Sequence, residues 1–483
     1  MNYNSIWTYC SHITTSLSGQ NVKEPIMNNN VAIPIETKVR EYDGKLWLGL
    51  NFVSRGDQVI IGPALEIKKT LDYSQPDVYI TKDPGDGNED FFDELCSAGI
   101  SVCGLDTEGA VYESMEKLAY NKRNFLNHMD ALFVWGKKQS KEIRQYYNNK
   151  TNIYVTGNPR FDLLQPELRR IYKERSEPLN NKYGNHILIN GNFTLSNPYS
   201  QRQIKKSEDV YGSIELAKHC YADRIFHSFM EAIYHLHSEF PETHIIIRPH
   251  PSERNATYEE AFRGYDRVHV DDSGDARDWI AGAGVTIHHD CTTGIESALM
   301  GRPVVSYRPI QKEEYESRLP QVVSREAYTR EELTEYISSY LQDDHQYEMN
   351  SKQTNKLKQY FHNIDELAAE NICDVIESLE IPKEKNYELL KPNLSDDIKR
   401  RVKSSRWSEQ AVTVYHQMHR LAGNKSVPKQ RQYRKQKFPG LEKKEILESI
   451  DQMKGFLDLN SVSVRKVPLT NNTYTIQSGS PDS

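Results

Sequence analysis

His186-Ile-Leu-Ile-Asn190, His244-Ile-Ile-Ile-Arg248, Val268-His-Val270, Val285-Thr-Ile287 and Pro303-Val-Val-Ser-Tyr307 are the segments on which the fold turns. Each is a short apolar run of the length of a buried strand. A long helical region running to about Glu239 separates the first two. Strands that alternate with helices predict a parallel sheet covered on both faces.

The same rhythm extends toward the N-terminus. Val31-Ala-Ile-Pro-Ile35, Val59-Ile-Ile61, Val78-Tyr-Ile80, Ile100 to Leu105, Ala131-Leu-Phe-Val-Trp135 and Ile153-Tyr-Val155 read as strands. Helical stretches lie between them: one stops at Gly56, one runs from Asn88 to Ala98 before Gly99, and one from Lys137 to Tyr147. Glycine just past a helix is a common stop. The polar stretch from Glu174 to Tyr183, with Pro178 and two asparagines, reads as a linker. The expected fold is therefore α/β, with two tandem Rossmann-like doubly wound domains over residues 31–175 and 184–345. Glu331 to Leu341 and Tyr360 to Leu379 read as helices that pack back across both halves. Residues 1–30 are expected to be a poorly ordered extension, 346–457 a helical region with a basic segment, and 458–483 a disordered tail.

The totals narrow the function classes. A net charge of -7 argues against binding nucleic acid through bulk field. No apolar run approaches the roughly 20 residues of a membrane span. The N-terminus lacks the basic-then-apolar pattern of a secretory signal. The six cysteines lie far apart with no CxxC spacing, as expected of reduced thiols in a cytoplasm. The Lys/Arg/Gln-rich run from Lys425 to Lys444 reads first as a solvated surface. A patch for anionic lipid headgroups at a membrane surface, or for a charged acceptor, is the other reading.

Four segments follow strand ends, where this architecture builds sites. Arg248-Pro-His-Pro-Ser-Glu253 fixes His250 between two prolines, which aims the imidazole at one place; prolines that merely stop the sheet are the plain alternative. Cys291-Thr-Thr-Gly-Ile-Glu296 opens a helix. Thr293 and Glu296 have the spacing of a capping box, and free amides beside Gly294 make an anion site. Adjacent His288 and His289 point to opposite faces of a strand, so a shared metal is not expected. Leu105-Asp-Thr-Glu-Gly109 offers Glu108 as a carboxylate on the opposite wall, with Gly109 for a sharp turn. Thr156-Gly-Asn-Pro-Arg-Phe-Asp162 offers Asn158 and Arg160, the latter to an anionic group or to Asp162. Glu36, Lys38 and Arg40, after the first strand, are further cleft candidates. No GxxxxGK[ST], GxGxxG or GxSxG motif supports a P-loop kinase, a dinucleotide oxidoreductase or a serine hydrolase.

Taken together these strings resemble surface-carbohydrate biosynthesis proteins with a GT-B-like fold, over about Val31 to Leu457. More distantly the chain is similar to the capsule polysialyltransferases and Kdo transferases, which use CMP-activated acidic sugars. The resemblance implies Glu108-Gly109 for the acidic-acidic-Gly motif, with Thr107 in place of its first acid. It likewise implies His250-Pro251 and Thr292-Thr293 for the donor phosphate. The implied function is an inverting glycosyltransferase with no metal and no cofactor. Glu108 and His250 would be catalytic, with Arg248, Ser252, Glu253, Thr292, Thr293, Gly294 and Glu296 around the nucleotide-sugar donor. Glu36, Lys38, Asn158 and Arg160 would face a glycan or lipid-linked glycan acceptor. A nucleotide-sugar epimerase or hydrolase, and a non-catalytic nucleotide- or glycan-binding scaffold, are the alternatives.

Overall fold

The computed structural model describes residues 29–82, 89–107, 109, 128–146, 152–199, 201–342, 347–364, 366–391 and 437–479. Most of the N-terminal extension, Glu108 and most of the basic run lie outside the described residues.

Among the described residues, fourteen strands form two sheets. The first half contributes β1 (Asn30–Ile35), β2 (Gln58–Pro63), β3 (Val78–Thr81), β4 (Ser101–Leu105), β5 (Ala131–Val134) and β6 (Asn152–Val155). The second contributes β7 (Ile187–Asn190), β8 (Ile245–Arg248), β9 (Val268–Val270), β10 (Val285–His288), β11 (Val304–Tyr307) and β12 (Arg325–Ala327). The chain ends in β13 (Val462–Lys466) and β14 (Tyr474–Ser478). The second sheet is parallel throughout, in the order β12-β11-β10-β7-β8-β9. Its order reverses between β7 and β10, where Asn190 pairs in register with His288. That reversal opens a crevice at the carboxyl ends of these two strands, the place where doubly wound sheets take ligands. The first sheet, β13-β14-β2-β1-β3-β4-β5-β6, is parallel from β2 to β6.

The helices that matter for the site are α1 (Lys38–Ser54), α2 (Arg170–Tyr183), α3 (Gln201–Glu239), α4 (Ala276–Gly282), α5 (Thr292–Leu299), α6 (Ala368–Ser378) and α7 (Lys443–Met453). None of the described helices is long and apolar enough to cross a membrane. One hydrophobic cluster joins the halves, running from Ile33 and Trp47 through Tyr172, Trp279 and Ala298 to Ile372 and Ile476. Burial of large side chains at roughly 25 cal/mol per Å² of apolar area is the main force holding this arrangement.

Two expectations are corrected. The stretch expected to be a linker is α2, with Pro178 inside it and Gly184 at φ 62° after it. Tyr172, Ser176, Leu179 and Tyr183 recur at helical spacing, and α2 packs on α4 of the second half. The connection is thus a structural strut. The tail expected to be disordered forms the β13–β14 hairpin, and β14 pairs antiparallel with the edge strand β2. Val462, Val464, Tyr474 and Ile476 are buried there, a period-two pattern that polar flanks obscure in the sequence. The covered edge no longer offers unpaired backbone groups.

Candidate functional site

A cavity of about 330 Å³ lies between the halves at the β7/β10 reversal. The second half supplies its floor from Asn190-Gly191, the loop from Arg248 to Ser252, the loop before α4 and the start of α5. The first half supplies Thr37, Arg40, Lys82 and Arg160, and the C-terminal segment adds Lys437.

His250 is held by a closed loop. Its Nδ1 accepts the amide of Ser252 at 3.2 Å, so the neutral ring carries its proton on Nε2. The His250 amide donates to Glu253 Oε1 at 3.2 Å, and the Glu253 amide returns a bond to the His250 carbonyl at 2.7 Å. Glu253 is not a donor-binding group. Its fully buried carboxylate accepts from the Phe193 amide at 2.7 Å and from the Tyr258 hydroxyl at 2.6 Å. Burial pushes its pKa up to about 7. Arg248 lines the cavity, but its guanidinium donates to the carbonyls of Asp271, Ser273 and Gly274 at 2.7–3.1 Å and stacks over Trp279. Its role is to shape the loop before α4.

The capping box also gives way. Helix α5 starts at Thr292 with Cys291 as N-cap, and the Cys291 thiol faces the amide and hydroxyl of Thr293. Thr293 therefore sits within the first turn, beside Thr292 on the cavity wall. Glu296 reaches across the cleft to Arg160, with 3.2 Å between Oε1 and Nη2. Gly294 does not border the cavity: a Cβ there would lie 2.3 Å from His288 Nε2, so the glycine lets α5 pack on that ring. His288 bonds Ser324 Oγ at 2.8 Å while His289 bonds the Tyr221 hydroxyl at 3.1 Å, on opposite faces of the sheet.

On the first half, Asp162 is likewise an anchor rather than a partner for Arg160. It accepts from the amides of Ala368 and Ala369 at 2.8 and 2.9 Å, from Trp47 Nε1 at 3.2 Å and from Asn363 Nδ2. These bonds fasten the start of α6 to the Pro159–Asp162 turn. Burial pushes Asp162 up to about 7. Asn158 is inside the turn, accepting from the Arg160 amide at 3.0 Å and donating to the Asp106 carbonyl at 2.8 Å. It does not line the cavity. Gly109 lies against Trp135, where a Cβ would come within 2.2 Å of the ring, so close packing rather than turning explains it. Lys38 points away from the cleft to the Gly440 carbonyl and Glu445. Glu36 sits at the rim between Lys82, at 2.7 Å, and Lys437, at 3.0 Å. Glu41 lies behind it; burial would raise its pKa, but Lys45 and Lys82 bring it down to about 2.

His250, Ser252, Thr292, Thr293, Glu296, Arg160 and Arg248 thus share one cavity. Arg40, a cleft candidate from the sequence, lines it too, whereas Asn190, Lys82 and Lys437 were missed. For Asn190 a signal existed: it is the polar residue closing an apolar strand. Its side chain is buried, and its amide nitrogen has no hydrogen-bond partner among the described residues. An unpaired buried donor costs about 1–3 kcal/mol, so a ligand acceptor there is favoured. Lys437 carried no such signal, because its arrival depends on the path of the whole C-terminal segment.

No protein-family model matches the chain, and no curated protein matches it in sequence. Several solved structures are similar in shape. A putative UDP-N-acetylglucosamine 2-epimerase from Listeria monocytogenes is 14% identical, with 74% of this chain and 100% of that one covered and a TM-score of 0.45. The UDP-GlcNAc 2-epimerase of Methanocaldococcus jannaschii, in complex with UDP-GlcNAc and UDP, is 12% identical over 73% and 100%, with a TM-score of 0.47. The wall teichoic acid polymerase TagF is 12% identical over 74% and 90%, also at 0.47. At such distances neither the activity nor the ligand of those proteins transfers to this chain.

Proposed function

We propose that the chain is a glycosyltransferase of surface-polysaccharide biosynthesis that takes a nucleotide-linked sugar in the cleft between its halves. The observation that carries the reading is the buried Asn190 amide at the β7/β10 reversal, unpartnered among the described residues. It stands on the same cavity wall as His250 and the first turn of α5. A phosphate seated there would accept from Asn190 Nδ2 and from His250 Nε2–H, at the positive end of the α5 dipole.

In the reaction, the acceptor hydroxyl loses its proton to a base and its oxygen attacks the anomeric carbon. The bond from that carbon to the phosphate oxygen breaks on the opposite face, inverting the centre. Negative charge grows on the leaving phosphate, and donors fixed in advance stabilise it without reorganisation. Glu108 remains the base that the sequence suggests. Arg40 and Lys82 on the opposing wall suit a sugar that carries a carboxylate, which favours a CMP-linked acidic sugar over a UDP-sugar. The acceptor in this reading is a glycan or lipid-linked glycan.

Thermal shift and calorimetric titration with CMP, UDP, GDP and CDP test the binding step. At least one should bind, and Asn190→Ala should weaken it about tenfold, as for one lost bond to a charged group. Silence across all four defeats the reading. Product formed from donor alone, with no acceptor present, would instead favour an epimerase or hydrolase.

A further inference from the structure

A second cavity, of about 260 Å³, lies beside the cleft on the β10–β11 side of the second half. Its walls come from the loop after β7, from α3, from the end of β10 and from the loop after β11. At two places consecutive residues line the two cavities. Gly191 faces the cleft and Asn192 the second cavity; Cys291 faces the cleft and Asp290 the second cavity. Asn192 Nδ2 donates to the Asp290 carbonyl at 3.0 Å, which ties the two edges together. Thr194, on the second cavity's wall, brings its Oγ1 to 3.5 Å from His250 Nδ1.

The lining is chemically specific. Tyr221 and Tyr315, with ring centroids 5.5 Å apart, offer aromatic surface. Asp290 Oδ1 accepts the Ser317 amide at 2.8 Å, leaving further lone pairs on its carboxylate. Glu316 is fixed by the Tyr221 hydroxyl at 2.5 Å, by Gln321 at 3.1 Å and by Arg308. Glu313 and Glu314 add carboxylates at the mouth, against Lys218 on the other wall. Carboxylates outnumber cations, so an anionic group is repelled. Phosphates and acidic sugars belong to the cleft, whose first-half wall carries Arg40, Lys82 and Arg160.

We propose that this second cavity binds an uncharged, hydroxyl-rich sugar ring of the substrate glycan, against the tyrosines and with its hydroxyls on Asp290 and Asn192. The proposal rests on the glycosyltransferase reading for its context, though not for its chemistry. Carboxylate and amide oxygens accept from sugar hydroxyls, and the C–H face of a pyranose packs on aromatic surface. The ring has two sources: the end of the acceptor, or the sugar of an uncharged donor.

Ligand-observed saturation-transfer NMR on the full chain, with methyl glycosides of neutral hexoses and of a carboxylated sugar, tests the cavity. Neutral glycosides should receive saturation and the carboxylated one should not. Ala222→Phe, which pushes a ring into the cavity from a half-buried position on α3, should abolish the signal. The isosteric Asp290→Asn should weaken binding about tenfold or more. Nucleotide titrations on the same samples should be unchanged in both variants. If Ala222→Phe weakens an intact UDP-sugar but not UDP, the ring is the donor's; if only the methyl glycoside suffers, it is the acceptor's. Equal binding of neutral and carboxylated glycosides, no neutral glycoside binding, or binding indifferent to Ala222→Phe overturns the proposal. Glycoside binding without any nucleotide binding would sink the transferase reading and leave this inference standing.

Discussion

Two acidic residues close two motifs on opposite walls of the cleft, and they do different work. Asp162 ends Thr156-Gly-Asn-Pro-Arg-Phe-Asp162, and Glu253 ends Arg248-Pro-His-Pro-Ser-Glu253. Both are fully buried, and each accepts from two backbone amides as well as from side-chain donors. Asp162 reaches about two hundred residues along the chain to the start of α6 and so joins the end of the second half to the first. Glu253 stays within the second half, joining the loop after β7 through the Phe193 amide to its own loop, where it fixes the His250 backbone three residues away. The contrast separates what holds the halves together from what aims the chemistry.

The largest expected effect follows from the long-range anchor. Asp162→Ala strands two amides, an indole N–H and the Asn363 amide in a buried place. At about 1–3 kcal/mol for each orphaned donor, the loss should be roughly 4 kcal/mol or more. Urea unfolding measures it, and a midpoint that barely moves would contradict the assigned role.

The local anchor should show itself through pH. Glu253 ionises near 4.5 when exposed and is raised to about 7 in the folded chain by burial. The folded state therefore holds this proton more tightly, and stability falls as pH rises from about 4.5 to about 7. At 1.36 kcal/mol per unit the contribution is at most roughly 3 kcal/mol. Glu253→Gln keeps an acceptor for Phe193 and His250 and a donor for Tyr258, so it should flatten that slope. Unfolding curves of the two proteins at several pH values should converge below pH 5 and diverge above it.

This comparison also marks what the sequence makes legible. The strands, the two halves and the strand-end loops are visible because apolar runs and glycine stops are local signals. His250, Thr292 and Arg160 were readable as cavity residues because strand ends are where such folds place them. The partners were not. In the string Glu253 looks like a ligand-binding acid and Asp162 like a partner for Arg160, yet their oxygens go to donors that only the folded chain brings near. Glu296 has the spacing of a cap and pairs with Arg160 instead. The hairpin at Val462–Lys466 and Tyr474–Ser478 was overlooked because its alternation is short and its flanks polar.

The next effect down belongs to the aimed group. His250→Ala should lower turnover by about 10²-fold, as for one lost donor to developing charge, with unfolding close to that of the parent chain. Nucleotide affinity should fall much less than turnover if the contact strengthens as charge grows on the leaving phosphate. An equal loss in both would make His250 a binding residue only.

The smallest effect probes the contact that crosses the cleft. Arg160 lies 3.2 Å from Glu296 and over the ring of Phe161, so its charge is held in place on the cavity wall. Arg160→Ala should weaken nucleotide binding about tenfold, because a cation leaves and the Glu296 carboxylate stays uncompensated beside the phosphate position. Glu296→Gln alone should bind the nucleotide as well as the parent or slightly better. The double variant should then recover part of the loss, since the repelling charge is gone. Calorimetry on the four proteins closes a double-mutant cycle. A double variant as weak as Arg160→Ala would mean that Glu296 acts only as a tether between the halves. Recovery would mean that the pair tunes the charge seen by the ligand, which no bond within either half could do.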